Sequence, residues 1–219
     1  ITDHGVLYGA VDFYRAANRR NIKPIIGCEV YVAPRSRTDR VHGLDREPYH
    51  LVLLCENNTG YQNLIKLVSE GWVSGFYGKP RVDLDLLRQH SEGLIALSAC
   101  LAGAVPRALK RGDFAEAKEI ALTYHEIFGQ GNFFLELQDH GISEQQQINP
   151  MLVRLSEETG IPLVATNDCH YIRKEDSQMH KILICIQTNH TLEDESTLEF
   201  GSEEFYLKSE EEMRSLFPR

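Results

Sequence analysis

The sequence contains few of the features that mark membrane proteins or basic nucleic-acid-binding proteins. Its 219 residues include no apolar run near the roughly 20 residues that cross a bilayer, so no membrane-spanning helix is expected. No long Lys/Arg run is present, and the formal net charge is −9, so phosphate neutralisation by side chains alone does not predict nucleic-acid binding. If the chain acts on nucleic acid, the positive charge must come from bound metal or from another domain.

The five cysteines lack the paired spacing of disulfide frameworks and zinc ribbons. Their number is odd, no two form a CxxC pair, and several lie within apolar runs. This usage favours free thiols in a reducing, cytoplasmic compartment. P-loop, GxGxxG and GxSxG motifs are also missing, so nucleotide cofactors and serine hydrolase chemistry have no support.

What the sequence does contain is an alternation of apolar strands and helical segments. Strands are predicted at 24–32, 50–55, 93–98, 133–137 and 162–166, and helices at 9–20, 58–70, 83–90, 102–110, 113–128, 143–159 and 174–188. Asn58 or Thr59 is a candidate N-cap, and 203–217 resembles a strand followed by a short helix. This alternation predicts parallel βαβ units in an α/β fold, either a barrel or a doubly wound sheet. Ile1-Thr2 has the pattern of the end of a strand, so we expect a piece of a longer chain.

Residue types that bind metals follow the ends of four strands. Asp3-His4-Gly5 follows the first, Glu29 lies late in the second, Cys100 comes after Ser98, and Asp168 and His170 follow the strand at 162–166. Since the carboxyl ends of parallel strands meet at one edge, these side chains should converge. Mixed N, O and S ligands suit zinc, with manganese or iron as alternatives.

Each residue alone has a simpler interpretation. A strand-end His is often hydrogen-bonded in a turn, Cys100 could be a small buried apolar residue, and Glu29 could belong to a salt bridge. Their joint occurrence favours a metal site. His50 lies at the start of its strand, so the expectation that ligands cluster at the carboxyl ends of parallel strands leaves open whether His50 reaches the site. His140 could be a further ligand or part of a turn.

Other candidates have weaker patterns. Trp72, Phe76 and Tyr77 could stack on bases, or could pack in a glycine-rich loop. The remaining histidines lie in predicted loops or on helices and are expected at the surface: His42, His90, His125, His180 and His190.

The same segments resemble the PHP (polymerase and histidinol phosphatase) domain, in the version of bacterial DNA polymerase III alpha subunits. The resemblance covers essentially the whole chain. It is carried by Ile-Thr-Asp-His-Gly at 1–5, Gly-Cys-Glu-Val-Tyr-Val at 27–32, Tyr-His-Leu-Val-Leu-Leu at 49–54, Gly-Tyr-Gln-Asn-Leu at 60–64, Leu-Ser-Ala-Cys-Leu-Ala-Gly at 97–103 and Ala-Thr-Asn-Asp-Cys-His-Tyr at 165–171.

The resemblance implies a distorted (β/α)7 TIM-like barrel with a divalent metal cluster, zinc or manganese, at one mouth. The ligands it implies here are His4, Glu29, His50, Cys100, Asp168 and His170. The family opens with a strand bearing His-x-His, followed by an Asp. Those residues would precede Ile1, so we expect the first strand of the barrel to be missing from this chain.

The resemblance also implies a role in DNA replication. It suggests one PHP domain over 1–219, with about 200–219 beginning a linker to a polymerase core. In that setting the domain is expected to be a metal-dependent 3′–5′ exonuclease acting on the primer 3′ end, in contact with other replicase subunits. The alternatives are a non-catalytic scaffold that docks an exonuclease subunit, or a small-molecule phosphatase.

Overall fold

A computed structural model describes residues 1–194 and 201–217, which form a mixed α/β structure. The described strands are β1 Thr2–His4, β2 Gly27–Val32, β3 Tyr49–Cys55, β4 Arg81–Val82, β5 Leu94–Leu97, β6 Phe133–Leu137 and β7 Leu163–Ala165. The described α-helices are α1 Ala10–Arg19, α2 Asn58–Val73, α3 Leu84–Gln89, α4 Ala104–Lys110, α5 Phe114–Phe128, α6 Ser143–Thr159, α7 Ser177–Thr188 and α8 Glu210–Leu216.

The strands form one sheet in the order β1-β2-β3-β5-β6-β7, with β4 paired to β2. Four strand pairs are parallel, which confirms the predicted α/β class. The prediction of parallel units is wrong for β3, which runs antiparallel to both β2 and β5. The connection at 33–48 contains no helix, and a strand that returns beside its predecessor without a crossover must run antiparallel.

This reversal decides where β3 begins. Val32 at the end of β2 pairs with Tyr49 at the start of β3, and Tyr31 pairs with His50. The beginning of β3 therefore lies at the same edge of the sheet as the carboxyl end of β2.

The core lies between the inner strands and the helices that cover them. All six residues of β2 are buried, and Leu53, Ala96, Phe133 and Leu135 on the neighbouring strands are 0% exposed. Strands covered on both faces read as continuous apolar runs, which explains why the sequence marks them clearly. Helices α2, α4 and α6 pack their apolar residues against the same cluster.

Several element boundaries differ from prediction. Helix α2 is capped by Asn57, not Asn58 or Thr59, since the Asn57 side chain accepts a hydrogen bond from the Gly60 amide at 3.1 Å. The helix predicted at 174–188 is a 3₁₀ turn followed by α7. No strand forms in the described part of 203–217, although Tyr206 makes an isolated bridge with Tyr171 before α8.

The segment that follows the last strand reaches the end of the first. Strand β1 is first in the order and β7 is last, yet the ring of His170, five residues beyond β7, lies 5.6 Å from the ring of His4 at the end of β1. The end of the sheet where these two rings meet is called the mouth below. Within the described residues, no helix combines the length and apolarity needed to cross a bilayer.

Candidate metal centre

Three side chains from neighbouring strands meet at the mouth. His4 at the end of β1 is in register with Glu29 on β2, and His50 on β3 pairs with Tyr31, two residues beyond Glu29 on β2. Because alternate strand residues share a face, all three side chains project to the same side. Glu29 Oε1 lies 2.7 Å from Nδ1 of His4 and 3.1 Å from Nδ1 of His50.

Glu29 is held as a buried anion. Only 4% of the residue is exposed, and burial alone would raise its pKa. The contacts from His4 and His50 outweigh that cost and lower the pKa of Glu29 to about 2. The interaction with Glu29 raises the pKa of His4 in turn. The mouth therefore presents a carboxylate at any pH above strong acid.

Cys100 reaches the same point from a strained turn after β5. Ala99 has φ +63°, a left-handed conformation that non-glycine residues seldom adopt. The amide of Ala99 donates to Glu136 Oε2 at 3.0 Å, which fixes the turn. Cys100 Sγ then lies 3.6 Å from His50 Nδ1. Ligand atoms of Glu29, His50 and Cys100 all lie within 4.8 Å of one another.

The Cys100 thiol is protonated in the metal-free protein. Burial raises its pKa, and the charges of Asp168 and Glu29 raise it further. A thiolate at this position therefore needs a cation beside it.

Asp168 and His170 approach from the turn after β7. Asp168 has φ +43°, and His170 Nδ1 contacts the Asp168 carbonyl oxygen at 2.6 Å and Asp168 Oδ1 at 3.9 Å. Burial raises the pKa of Asp168; the charge of His170 opposes this effect, whereas that of Glu29 reinforces it. Asp168 is thus within electrostatic reach of the cluster, although neither it nor His170 belongs to the group within 4.8 Å.

The chemistry of this donor set fits divalent cations. Glu29 and Glu136 are buried, and Asp168 is half-buried with a side chain that is 22% exposed. Burial is the largest cause that raises the pKa of Asp168 and Glu136, and the charge of Asp168 raises the pKa of Glu136 further. Convergent buried carboxyl groups are costly unless a positive charge compensates them. Imidazole, carboxylate and thiolate donors together suit zinc, and manganese accepts the nitrogen and oxygen donors.

Glu136, which the sequence analysis did not identify, holds the turns of the site in place through hydrogen bonds. Besides the Ala99 amide, its carboxylate accepts hydrogen bonds from Gln138 Nε2 at 3.0 Å and from the Thr166 hydroxyl. It therefore ties the turns that follow β5 and β7 to β6. A charged residue inside the apolar run Phe-Phe-Leu-Glu-Leu at 133–137 was the available signal.

His140 has a structural position. Its Nε2 donates to the Asn167 carbonyl at 2.9 Å, its Nδ1 accepts from Gln145 Nε2 at 2.8 Å, and its ring stacks on Phe205 at 3.9 Å. With both ring nitrogens engaged, His140 supports the turn that carries Asp168.

The other histidines follow the surface prediction only in part. His42 is exposed as predicted, but His90, His125, His180 and His190 are half-buried. His180 on α7 lies edge-on to His170, with ring centroids 5.4 Å apart, so it borders the mouth.

Known proteins resemble the chain over its full length. A family model described as "PHP domain" matches residues 1–140. DNA polymerase III subunit alpha of Treponema pallidum is 50% identical over 219 residues, covering 100% of this chain and 19% of that protein. The Thermus aquaticus protein of the same name is 47% identical, covering 100% of this chain and 18% of its own length. A Mycobacterium tuberculosis protein of that name is 39% identical, with 99% and 20% covered.

The chain spans about a fifth of the length of these relatives. The family match covers more than half of the chain, and its residues include His4, Glu29, His50 and Cys100 of the mouth. The chain therefore belongs to the PHP domain family, and the relatives that match it from end to end are DNA polymerase III alpha subunits.

Proposed function

We propose that this chain is the PHP domain of a replicative DNA polymerase III alpha subunit, and that it binds divalent metal ions and removes 3′-terminal nucleotides from a primer. The observation that carries this proposal is the convergence of Glu29, His50 and Cys100 within 4.8 Å, with His4 hydrogen-bonded to Glu29. Similarity to polymerase alpha subunits over the whole of this chain supports a role for that chemistry in DNA replication.

The parent fold we propose is a distorted (β/α)7 barrel. In support of it, the ring of His170, in the segment after the last strand, lies 5.6 Å from the ring of His4 on the first strand. A strand that precedes Ile1 would close the sheet between β1 and β7 and add its own ligands to the mouth. The domain would then comprise 1–219, with the last residues leading toward the polymerase core.

His4, Glu29, His50, Cys100, Asp168 and His170 would hold the metal. Bound divalent cations supply Lewis acidity, which lowers the pKa of a water molecule and neutralises charge on a phosphodiester. Zinc suits the thiolate of Cys100, and manganese is the alternative.

The residues divide this work by charge and burial. Glu29 remains an anion above about pH 2 and contacts two imidazoles, so it would be the central carboxylate ligand of the divalent cations. Asp168 would supply a second carboxylate, from a half-buried position in a strained turn. Thiol and imidazole protons must leave before these groups can bind metal. The cations also offset the formal charge of −9, which otherwise repels DNA.

The partners in this proposal are the primer 3′ end, reached through the parent polymerase, and other replicase subunits. The setting is the bacterial cytoplasm. It agrees with the five cysteines, all of which are free thiols.

The test is Asp168→Asn in the full-length parent protein, assayed on a primer with a mismatched 3′ terminus. Asp85→Asn on exposed α3 is the matched control, since its side chain is 82% exposed. We expect the first variant to lose cleavage by at least roughly a hundredfold, as for removal of a metal-binding carboxylate, while the control cleaves normally. Undiminished cleavage by Asp168→Asn contradicts the proposal. Extension of a matched primer by both variants serves as the folding control.

A non-catalytic scaffold is the second candidate. Helix α7 exposes Met179, Ile182, Leu183 and Ile186 at helical spacing, an apolar stripe that suits contact with another part of a larger protein. Elemental analysis of the purified parent separates the two. Stoichiometric zinc or manganese that Asp168→Asn releases supports the hydrolase, and absence of bound metal supports the scaffold.

A further inference from the structure

The segment from the end of α2 to β4 lies directly against the metal centre. Trp72 Nε1 donates a hydrogen bond to the carbonyl of Gly5 at 2.9 Å, and Gly5 follows His4 in the chain. A Cβ atom added to Gly5 would lie 2.9 Å from Pro80 Cγ and 2.9 Å from the Tyr31 ring. The backbone after His4 is therefore packed between Trp72, Tyr31 and Pro80.

This segment carries two aromatic rings that the protein leaves open. Trp72 in the last turn of α2 and Phe76 beyond the end of the helix stack with ring centroids 5.4 Å apart and planes 20° apart. Each residue is 45% exposed, although aromatic side chains of this size usually bury most of their area. A groove of about 310 Å³ opens beside Trp72, between α2 and the loop that contains Leu7 and Tyr8.

Lys79 adds a positive charge at the same rim. It is exposed, and its Nζ lies 5.2 Å from the centroid of the Tyr31 ring. Across residues 1–194 and 201–217, no carboxylate oxygen lies within the 4.0 Å ion-pair distance of Lys79. In a chain of net charge −9, an uncompensated cation at this place is available to an anion.

We propose that Trp72, Phe76 and Lys79 form the binding site for the unpaired 3′ end of a DNA strand, with bases stacked on the two rings and a phosphate at Lys79. The inference rests on the proposed function, since it supplies the substrate of the same centre. Stacked aromatic faces bind bases of any sequence, and they need bases that are not paired. A mismatched primer end is unpaired, whereas a matched end offers no free base face. The rim would therefore favour incorrect ends without reading their sequence.

The ligand class follows from the combination of groups. An apolar peptide would use the groove but would gain nothing from Lys79, and a free phosphate would gain nothing from the rings. Single-stranded DNA uses both, and Gly5 and Tyr31 link both to His4 and Glu29.

The experiment uses full-length parent protein carrying Asp168→Asn and a single-stranded dT oligonucleotide with 5-iodo-deoxyuridine at its 3′ end. Irradiation should link the terminal base to the tryptic peptide 67–81, which ends at Arg81 because Pro80 blocks cleavage after Lys79. The yield in this peptide, measured against oligonucleotide concentration, reports affinity at this site and not at the polymerase site. Phe76→Ala should weaken that affinity about tenfold, the loss expected for one stacked base. Lys79→Ala should reduce the slope of log affinity against log salt by about 0.7, the single-strand value for one phosphate.

Matched controls exist on the surface. Tyr14→Ala on α1 removes a ring that is 54% exposed elsewhere, and Lys23→Ala removes an exposed charge from the loop before β2 without removing a tryptic site, since Pro24 follows it. Neither should alter the yield in peptide 67–81. Thermal melts of all four variants check folding.

Three results overturn the proposal. The first is cross-links confined to other peptides, and the second is a yield that neither Phe76→Ala nor Lys79→Ala changes. The third is protection of Trp72 from acrylamide quenching in the parent, which would show that another segment covers the groove. Failure of the proposed function looks different. If the wild-type parent never cleaves mismatched primers but the cross-link and its dependence on Phe76 and Lys79 persist, the rim stands and the hydrolase is wrong.

Discussion

Replacing Glu29 by Gln tests the electrostatic arrangement at the mouth, because this one carboxylate contacts both His4 and His50. The contacts, at 2.7 and 3.1 Å, hold the pKa of Glu29 at about 2 in the metal-free protein, against 4.5 for an ordinary glutamate. A difference of one pH unit between folded and unfolded pKa corresponds to 1.36 kcal/mol, so the ionised carboxylate contributes about 3 kcal/mol to the free energy of unfolding.

The pH range of this contribution follows from the directions of the two pKa changes. The folded pKa of Glu29 is lowered, so its contribution is present above pH 4.5 and is lost as the pH falls toward 2. The folded pKa of His4 is raised, so its contribution is present below pH 6.5 and is lost as the pH rises through the raised value. Both changes describe the same contact and are not added. The stability difference between wild type and Glu29→Gln should therefore be largest between pH 4.5 and 6.5.

Urea unfolding of the chelator-treated domain, followed by circular dichroism at pH 3.5, 5.5 and 8, measures this difference. Glu126→Gln on the exposed face of α5 is the control and should change stability by less than about 0.5 kcal/mol at each pH. A Glu29→Gln difference below about 1 kcal/mol at pH 5.5, or one that is the same at all three values, would refute the reasoning.

Three further predictions follow from particular contacts. Zinc affinity of the parent should rise with pH between 6 and 8, since Cys100 and His4 must release protons to bind the metal. Calorimetry in buffers of different ionisation enthalpy should detect that proton release. A zinc affinity that does not change with pH would contradict the prediction. Arg81→Met should lower the free energy of unfolding by about 4 kcal/mol or more, because Arg81 is 0% exposed and its guanidinium donates hydrogen bonds to four backbone carbonyls. In the same urea titration, the control Arg88→Met, on the exposed face of α3, should lower it by less than about 0.5 kcal/mol. Gly60→Ala should cost about 3 kcal/mol, measured by thermal melting, because its Cβ would lie 1.8 Å from the Gly93 carbonyl oxygen; an unchanged melting temperature would show that α2 can shift.

The sequence predicts the long elements well because their periodicity reflects burial. Strand β6 and helix α6 have the predicted bounds, and α5 ends at the predicted residue, Phe128. Strand β4 was not predicted because it has only two residues, too few to show the alternation of apolar and polar residues that marks a strand. Both of its residues are nevertheless buried, and the Arg81 guanidinium donates hydrogen bonds there to carbonyl groups of the loop at 33–48 and of Gly75. Hydrogen bonding of that kind depends on tertiary contacts that no local pattern encodes.

The direction of β3 was open to prediction, but the assumption of parallel units concealed it. The segment at 34–49 is polar and has no helical period, whereas the crossover between two parallel neighbouring strands is usually a helix. The lack of a helix therefore favours an antiparallel β3, which places His50 at the same end of the sheet as Glu29. His50 Nδ1 then reaches Glu29 Oε1 at 3.1 Å without any bend in the strand.

The rim and the support of the site were harder to predict, because they come from residues that are distant in sequence. Trp72 matters only because its indole reaches Gly5, 67 residues away, and Glu136 only because it holds Ala99, 37 residues away. A pattern search finds groups that can bind an ion, since their chemistry is local to the residue. It does not find groups that position them, since positioning is a property of contacts.

The antiparallel strand also explains how one mouth can collect ligands from both halves of the sheet. His4, Glu29 and His50 come from β1, β2 and β3, whereas Cys100 and Asp168 come from turns after β5 and β7. The second pair is presented by residues in left-handed conformations, Ala99 and Asp168 itself, which cost free energy and persist only where their surroundings impose them. Glu136 imposes one of them through the Ala99 amide, and its hydroxyl partner Thr166 borders the other. One half of the sheet thus supplies donors through regular strand geometry, and the other half through strained turns anchored to a buried carboxylate. Such an arrangement retains its strain when a ligand compensates the charges it brings together, which is the physical reason to expect cations at this mouth.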